Sequence, residues 1–214
     1  MILFIAAAAL TAAPSPAPHT AVDAERAFAR DAQRIGQWSA FARYADHDAV
    51  MFVPKAVWAR DYLMGRRNPQ RAIIWSPARS ITSCDGKVAI NEGPWRVPRS
   101  PVQGRFTTVW QVKPNGWRWI YDGGQPTAAP GPIGAVPSVS RASCAGHPTG
   151  APITSAAKPD TGAGPTPLDV GRGESGDRTL GWDWKVDARG TRNFRVFQWT
   201  GARYIRVMDQ HIAR

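Results

Sequence analysis

Residues Gly104 to Gly124 read GRFTTVWQVKPNGWRWIYDGG. Phe106, Thr108, Trp110 and Val112 recur every second residue, so they share one face of a strand, with Arg105, Gln111 and Lys113 on the other. Pro114-Asn115-Gly116 is a tight-turn signal. Trp117, Trp119 and Tyr121 then alternate with Arg118 and Asp122. The pattern predicts a two-strand hairpin with large aromatics on one side and charge mainly on the other.

Working outward, a second hairpin precedes it. Arg79 to Ser83 and Lys87 to Glu92 read as strands joined by Cys84-Asp85-Gly86, where Asp-Gly suits a type I′ turn. Gly93 to Gln103 reads as a Pro- and Arg-containing loop. Upstream, Ala24, Phe28, Ala32 and Ile35 recur at spacings near four, with Glu25, Arg30 and Arg34 on the wetter side, which predicts an amphipathic helix from about Ala21. Gly36 interrupts it, and Trp38, Phe41 and Ala45 continue on a second short helix ending near Asp46. Ala49 to Val53 reads as a buried strand stopped by Pro54. Val57, Trp58, Tyr62 and Leu63 suit one or two helical turns, and Ile73 to Trp75 a short apolar segment.

Downstream of Gln125 the composition changes. Pro, Gly, Ala, Ser and Thr dominate residues 126–167, too few large apolar groups to offset the entropy of ordering, so this reads as a linker. Thr179 to Val186, Arg192 to Thr200 and Arg203 to Asp209 then form a β-meander, which either packs on the first body or extends its sheet. The domain reading is 1–20 signal peptide and spacer, 21–125 an α+β body, 126–167 linker and 168–214 a β-meander appendage.

Residues MILFIAAAALTAA carry no charged side chain and resemble the apolar core of a secretory signal, shorter than a membrane span. The mature chain is expected to begin between about Thr11 and Ala21 in a periplasmic or secreted protein. Cys84 and Cys144 are an even pair in a chain bound for an oxidising compartment, so a disulfide between them is expected. His19, His47, His147 and His211 are scattered and there is no CxxC, so no metal site is expected.

The formal net charge is +11, from 27 basic and 16 acidic residues. It is spread along the chain, and no basic run exceeds the pair Arg66-Arg67. Nucleic-acid binders concentrate such charge on one face, so nucleic acid is not an expected partner. An anionic envelope surface remains one. There is no P-loop and no GxGxxG, and GESG at 173–176 is not G-x-S-x-G, so no cofactor is expected.

The order of two helices, a strand, a short helical region and two long hairpins resembles the nuclear transport factor 2-like superfamily, in its SnoaL-like branch of uncharacterised bacterial proteins. The resemblance rests on ERAFARDAQRIGQWSAFARYADHDAVMFVP (25–54), SCDGKVAINEGPW (83–95) and GRFTTVWQVKPNGWRWIYDGG (104–124), about half the chain. It implies an α+β, cystatin-like cone in which a curved antiparallel sheet wraps N-terminal helices around a pocket. Some members of the superfamily, such as ketosteroid isomerase and scytalone dehydratase, are enzymes that move protons with an Asp, His or Tyr inside the cone. Many others only bind ligands or partners.

The candidates for such chemistry are Tyr44, Asp48, Glu92 and Asp122. A desolvated carboxylate has its pKa raised and becomes a base or acid near neutral pH. Glu92 shares strand parity with Val88 and Ile90, and points to the pocket rim if that face is concave. Asp48 stands at the helix-to-strand junction, where a polar cluster also suits a turn. Asp122, before Gly123-Gly124, reads as a strand-end residue. Glu92 and Asp48 are therefore the catalytic candidates, and Tyr44, Trp75, Phe106 and Trp110 the ligand-binding ones. Trp117 and Trp119 suit either a pocket wall or a core. No Tyr/Asp pair matches ketosteroid isomerase and no His/Asp constellation matches scytalone dehydratase, so catalysis stays open. The leading expectation is a binder of a small, partly apolar molecule. A lyase or isomerase using a pocket carboxylate is the second, and an envelope interaction module the third.

Overall fold

A computed structural model describes residues 18–148 and 168–213. The expected signal segment falls almost wholly outside these residues, as does the linker beyond residue 148.

Helix α1 (Ala21–Ile35) begins with a capping box: Asp23 N–H donates to Thr20 Oγ1, and Thr20 N–H to Asp23 Oδ2. It ends at Gly36, whose φ of 96° suits glycine. Helix α2 (Gln37–Tyr44) follows. Strand β1 (Ala45–Phe52) starts four residues before the expected Ala49, because Ala45 already pairs with Trp119. Then come β2 (Ala56–Trp58), the short helix α3 (Ala59–Leu63), β3 (Ile74–Trp75), β4 (Arg79–Thr82) and β5 (Val88–Arg96). The long hairpin is β6 (Gln103–Lys113) and β7 (Gly116–Pro126). β5 runs through Pro94 to Arg96, where the sequence suggested a loop, because both β3 and β6 pair with it there. In the Cys84-Asp85-Gly86 loop only Gly86 takes a positive φ, so it is not the type I′ turn expected, which needs two such residues.

The sheet order is β2-β1-β7-β6-β5-β4-β8, with β3 on β5. It is mixed, because β1 runs parallel to β7, and β4 parallel to β8 (Ser138–Arg141). β8 and the residues after it lie within the segment read as linker. Ser143 N–H donates to Trp199 O, Trp199 Nε1 donates to Ala145 O, and Cys144 is disulfide-bonded to Cys84. Low apolar content did not leave residues 138–145 loose: a sheet edge and a covalent bond order them.

A bulge in β7 decides what each face of the sheet carries. Trp110 pairs with Trp119, but Val109 pairs with Tyr121, so Ile120 is the extra residue. Trp117 and Trp119 face the helices, whereas Tyr121 faces the other way, against the alternation read from sequence. Phe28, Phe41, Met51, Ala89, Phe106 and Trp110 complete the inner core.

The outer face is covered by a second antiparallel sheet, ordered β12-β11-β10-β9: β9 (Val170–Glu174), β10 (Leu180–Val186), β11 (Arg192–Trp199) and β12 (Tyr204–Ile212). Val50, Ile81, Val88, Ile90, Val109 and Tyr121 meet Leu180, Trp182, Trp184, Phe194, Val196 and Met208 across the interface. Strand β9 was not expected from the glycine-rich VGRGE. Glycine is what allows it, because a Cβ at Gly171 or Gly173 would overlap the indoles of Trp184 or Trp182.

Candidate functional site

The helices and the inner sheet face enclose a cavity of about 280 Å³. Phe28, Trp38 and Phe41 line it from the helices, Trp75, Trp95 and Phe106 from the strands, and Val97 and Val102 from the loop between β5 and β6. Gln37 and Asp122 are its carboxamide and its one ionisable lining residue among the described residues. The β7 bulge puts Asp122 there, because Asp122 pairs with Thr108, on the same face of β6 as Phe106 and Trp110. Thr108 Oγ1 donates to Asp122 Oδ2 at 2.8 Å. Burial raises the Asp122 carboxyl to about 6, against the opposing pull of the Thr108 hydrogen bond and of Arg192.

Deeper in the wall lies Glu25, fully buried. Trp75 Nε1 donates to its Oε1 at 2.8 Å, Trp110 Nε1 to its Oε2 at 2.6 Å, and Asn91 Nδ2 to the same oxygen at 3.3 Å. Burial raises its pKa to about 7; the three N–H donors oppose the rise, and the nearby Asp122 carboxylate adds to it. Glu25 thus ties α1 to β3, β5 and β6 and fixes two of the rings around the cavity. It was read from sequence as belonging to the wetter side of α1. Ala21, Glu25, Phe28 and Ala32 are nonetheless spaced four, three and four apart, a stripe that placed Glu25 inward.

The candidates named from sequence are distributed differently. Trp75 and Phe106 line the cavity. Trp110 is fully buried behind it, on Glu25. Tyr44 packs against Phe28 and Trp110 and donates its hydroxyl to Asp31 Oδ2 at 3.1 Å. Glu92 does not reach the pocket rim: the face it shares with Val88 and Ile90 is the convex one, where it pairs with Arg105 Nε at 2.8 Å. Asp48 is a surface residue, its side chain 78% exposed and 2.8 Å from His47 Nδ1. Neither carboxylate is brought to the cavity. Asp122, read as a strand-end residue, is. Among the described residues no group of three His, Cys, Asp or Glu is placed to hold a metal ion.

No protein-family model matches the chain, and no curated protein matches it. Solved structures do. A cystatin-like fold protein from Burkholderia xenovorans is 14% identical, with 51% of this chain and 91% of that one covered, at a TM-score of 0.40. An NTF-2 like protein of unknown function from Shewanella oneidensis is 14% identical over 47% and 93%, at 0.38. A candidate ketosteroid isomerase from Parabacteroides distasonis is 13% identical over 54% and 95%, at 0.42. These likenesses concern the fold alone. Two N-terminal helices held in the concave face of a curved, mixed sheet, with a cavity between them, give residues 20–126 the architecture of an α+β cone, a cystatin-like, nuclear transport factor 2-like fold.

Proposed function

We propose that the cone binds a small, largely apolar molecule that presents one polar group to Asp122. The observation that carries this reading is the lining: aromatic and aliphatic side chains on all sides, with a single carboxylate beside Thr108. Ligand sites have this composition, a mostly apolar wall with few polar groups that fix orientation. At about 280 Å³ the space falls just below the usual range of such sites, about 300–1,000 Å³, which favours a small ligand. A ligand hydroxyl or N–H would donate to the ionised carboxylate while its hydrocarbon part lies among Phe28, Trp75 and Phe106.

The second reading is an isomerase or lyase in which Asp122 takes a proton from an activated carbon and returns it elsewhere. The raised Asp122 pKa favours it, because a base with a pKa near the working pH combines ionisation with proton affinity. A site outside the cytoplasm belongs to the same proposal, and the Cys84–Cys144 disulfide supports it.

The test is native mass spectrometry of protein purified from its own host, beside Asp122→Asn. A retained small molecule that is lost or weakened by Asp122→Asn is the expected result. If the variant keeps the ligand but ceases to convert it, Asp122 is a catalytic base. Equal retention with no conversion by either protein overturns the role given to Asp122.

A further inference from the structure

A second cavity lies on the far side of β7, at the end of the seam between the two sheets. It measures about 390 Å³. Phe52, Ala56, Val186 and Ile212 give it apolar walls, and Arg192 and Lys55 supply positive charge. Asp169 and Asp187 also line it. The Asp187 Oδ1 is committed to its own turn, accepting from Arg189 N and Thr191 N at 2.9 Å.

Arg192 is the unusual member. It is only 4% exposed. Arg105 and Arg195, each better exposed, have carboxylate partners in Glu92 and Asp183. Arg192 has no carboxylate within 4 Å among the described residues; its charge reaches the Asp122 carboxyl only at longer range, without a hydrogen bond. Its one hydrogen bond among those residues is from Nη2 to Gly124 O at 3.2 Å, and its Nε is buried without an acceptor. The guanidinium lies 4.2 Å from the Phe52 ring centre and 5.9 Å from that of Tyr121, which offsets part of its desolvation. A buried cation with so few acceptors is costly unless a counter-charge joins it.

We propose that this seam cavity is a binding site for a small monocarboxylate with an apolar body, its carboxylate on Arg192 and its hydrocarbon against Phe52, Val186 and Ile212. The planar fork of an arginine matches a carboxylate. Asp169 and Asp187 oppose a second negative charge, which disfavours a phosphate dianion. The site is distinct from the cone cavity: the two share Gly124 but open on opposite faces of β7.

Hexanoate is a suitable probe, titrated into the full chain carrying labelled Ala, Val and Ile methyls. Saturable shifts are expected at Ala56, Val186 and Ile212, with Val53 and Ile73 of the cone unmoved. Uncharged hexanamide should bind at least about tenfold more weakly, as should hexanoate to Arg192→Gln. Ala188→Trp narrows the exposed rim without touching the buried cation, and should weaken hexanoate similarly. Equal binding of hexanoate and hexanamide, shifts confined to the cone methyls, or no saturable shift in the millimolar range would each overturn the proposal. So would inorganic phosphate binding as tightly at the same methyls.

Discussion

The indole of Trp110, on β6, donates to Oε2 of Glu25, on α1, at 2.6 Å inside the cone. Trp75 donates to the other oxygen of the same carboxylate. Glu25→Ala leaves two indole N–H groups buried without an acceptor. Each such group costs about 1–3 kcal/mol, so a total loss of about 3 kcal/mol or more is expected in urea unfolding. Glu25→Gln retains one acceptor oxygen and should cost less than Glu25→Ala. Equal stability of wild type and Glu25→Ala would show that the pair does not hold the helix to the sheet.

Stability should fall as pH rises through the range in which Glu25 and Asp122 lose their protons. Burial raises Glu25 from 4.5 to about 7 and Asp122 from 3.8 to about 6. The folded chain therefore holds protons that the unfolded chain has released. The contribution is fully present below the unfolded pKa values and is lost as pH climbs through the folded ones. For Glu25 the effect is on the order of 3 kcal/mol. The urea midpoint should be higher near pH 5 than near pH 8, and Glu25→Gln should remove most of the difference. A wild-type midpoint that rises across this range would contradict the assignment.

The Cys84–Cys144 bond closes a loop with a sequence separation of 60. Chain entropy for a loop of that size gives ~4 kcal/mol. Replacing both cysteines by serine should lower stability by up to this amount. It should also release residues 142–145 from β11, read as faster amide exchange at Ser143. Two titratable thiols in the unfolded, unreduced protein would mean that the bond does not form.

Tyr121 and Phe194 stack across the two sheets with ring centres 4.6 Å apart. Phe194 is fully buried, and Phe194→Ala is expected to cost about 3–5 kcal/mol. Unfolding should remain a single transition for both sheets, because Tyr121 belongs to one and Phe194 to the other. Separate melting of a fragment such as 168–214 in wild type would show that the sheets are not one cooperative body.

Some of this was legible in the chain, because local periodicity is set by local geometry. The spacing of Ala24, Phe28 and Ala32 gives a helix, and the alternation around Phe106 and Trp110 gives a strand. Two cysteines leave one possible intramolecular pair. The resemblance of 25–54, 83–95 and 104–124 gave the cone. The cover on its outer face was only half legible. The meander was visible in its aromatics, but β9 was hidden by the glycines that let Trp182 and Trp184 approach it.

Which carboxylate enters the cone was decided by tertiary structure. Period two sorts a strand into two sets of residues without saying which set meets the helices. In β5 both sets are buried, Ala89 and Asn91 inward, Val88 and Ile90 outward, because the second sheet covers the convex face. Hydrophobicity therefore carried no sign that Glu92 faced away. In β7 one extra residue at Ile120 reverses the parity, sending Tyr121 to the outer core and Asp122 to the cavity. A bulge is fixed by how two strands pair along their length, and that pairing exists only once the chain has folded.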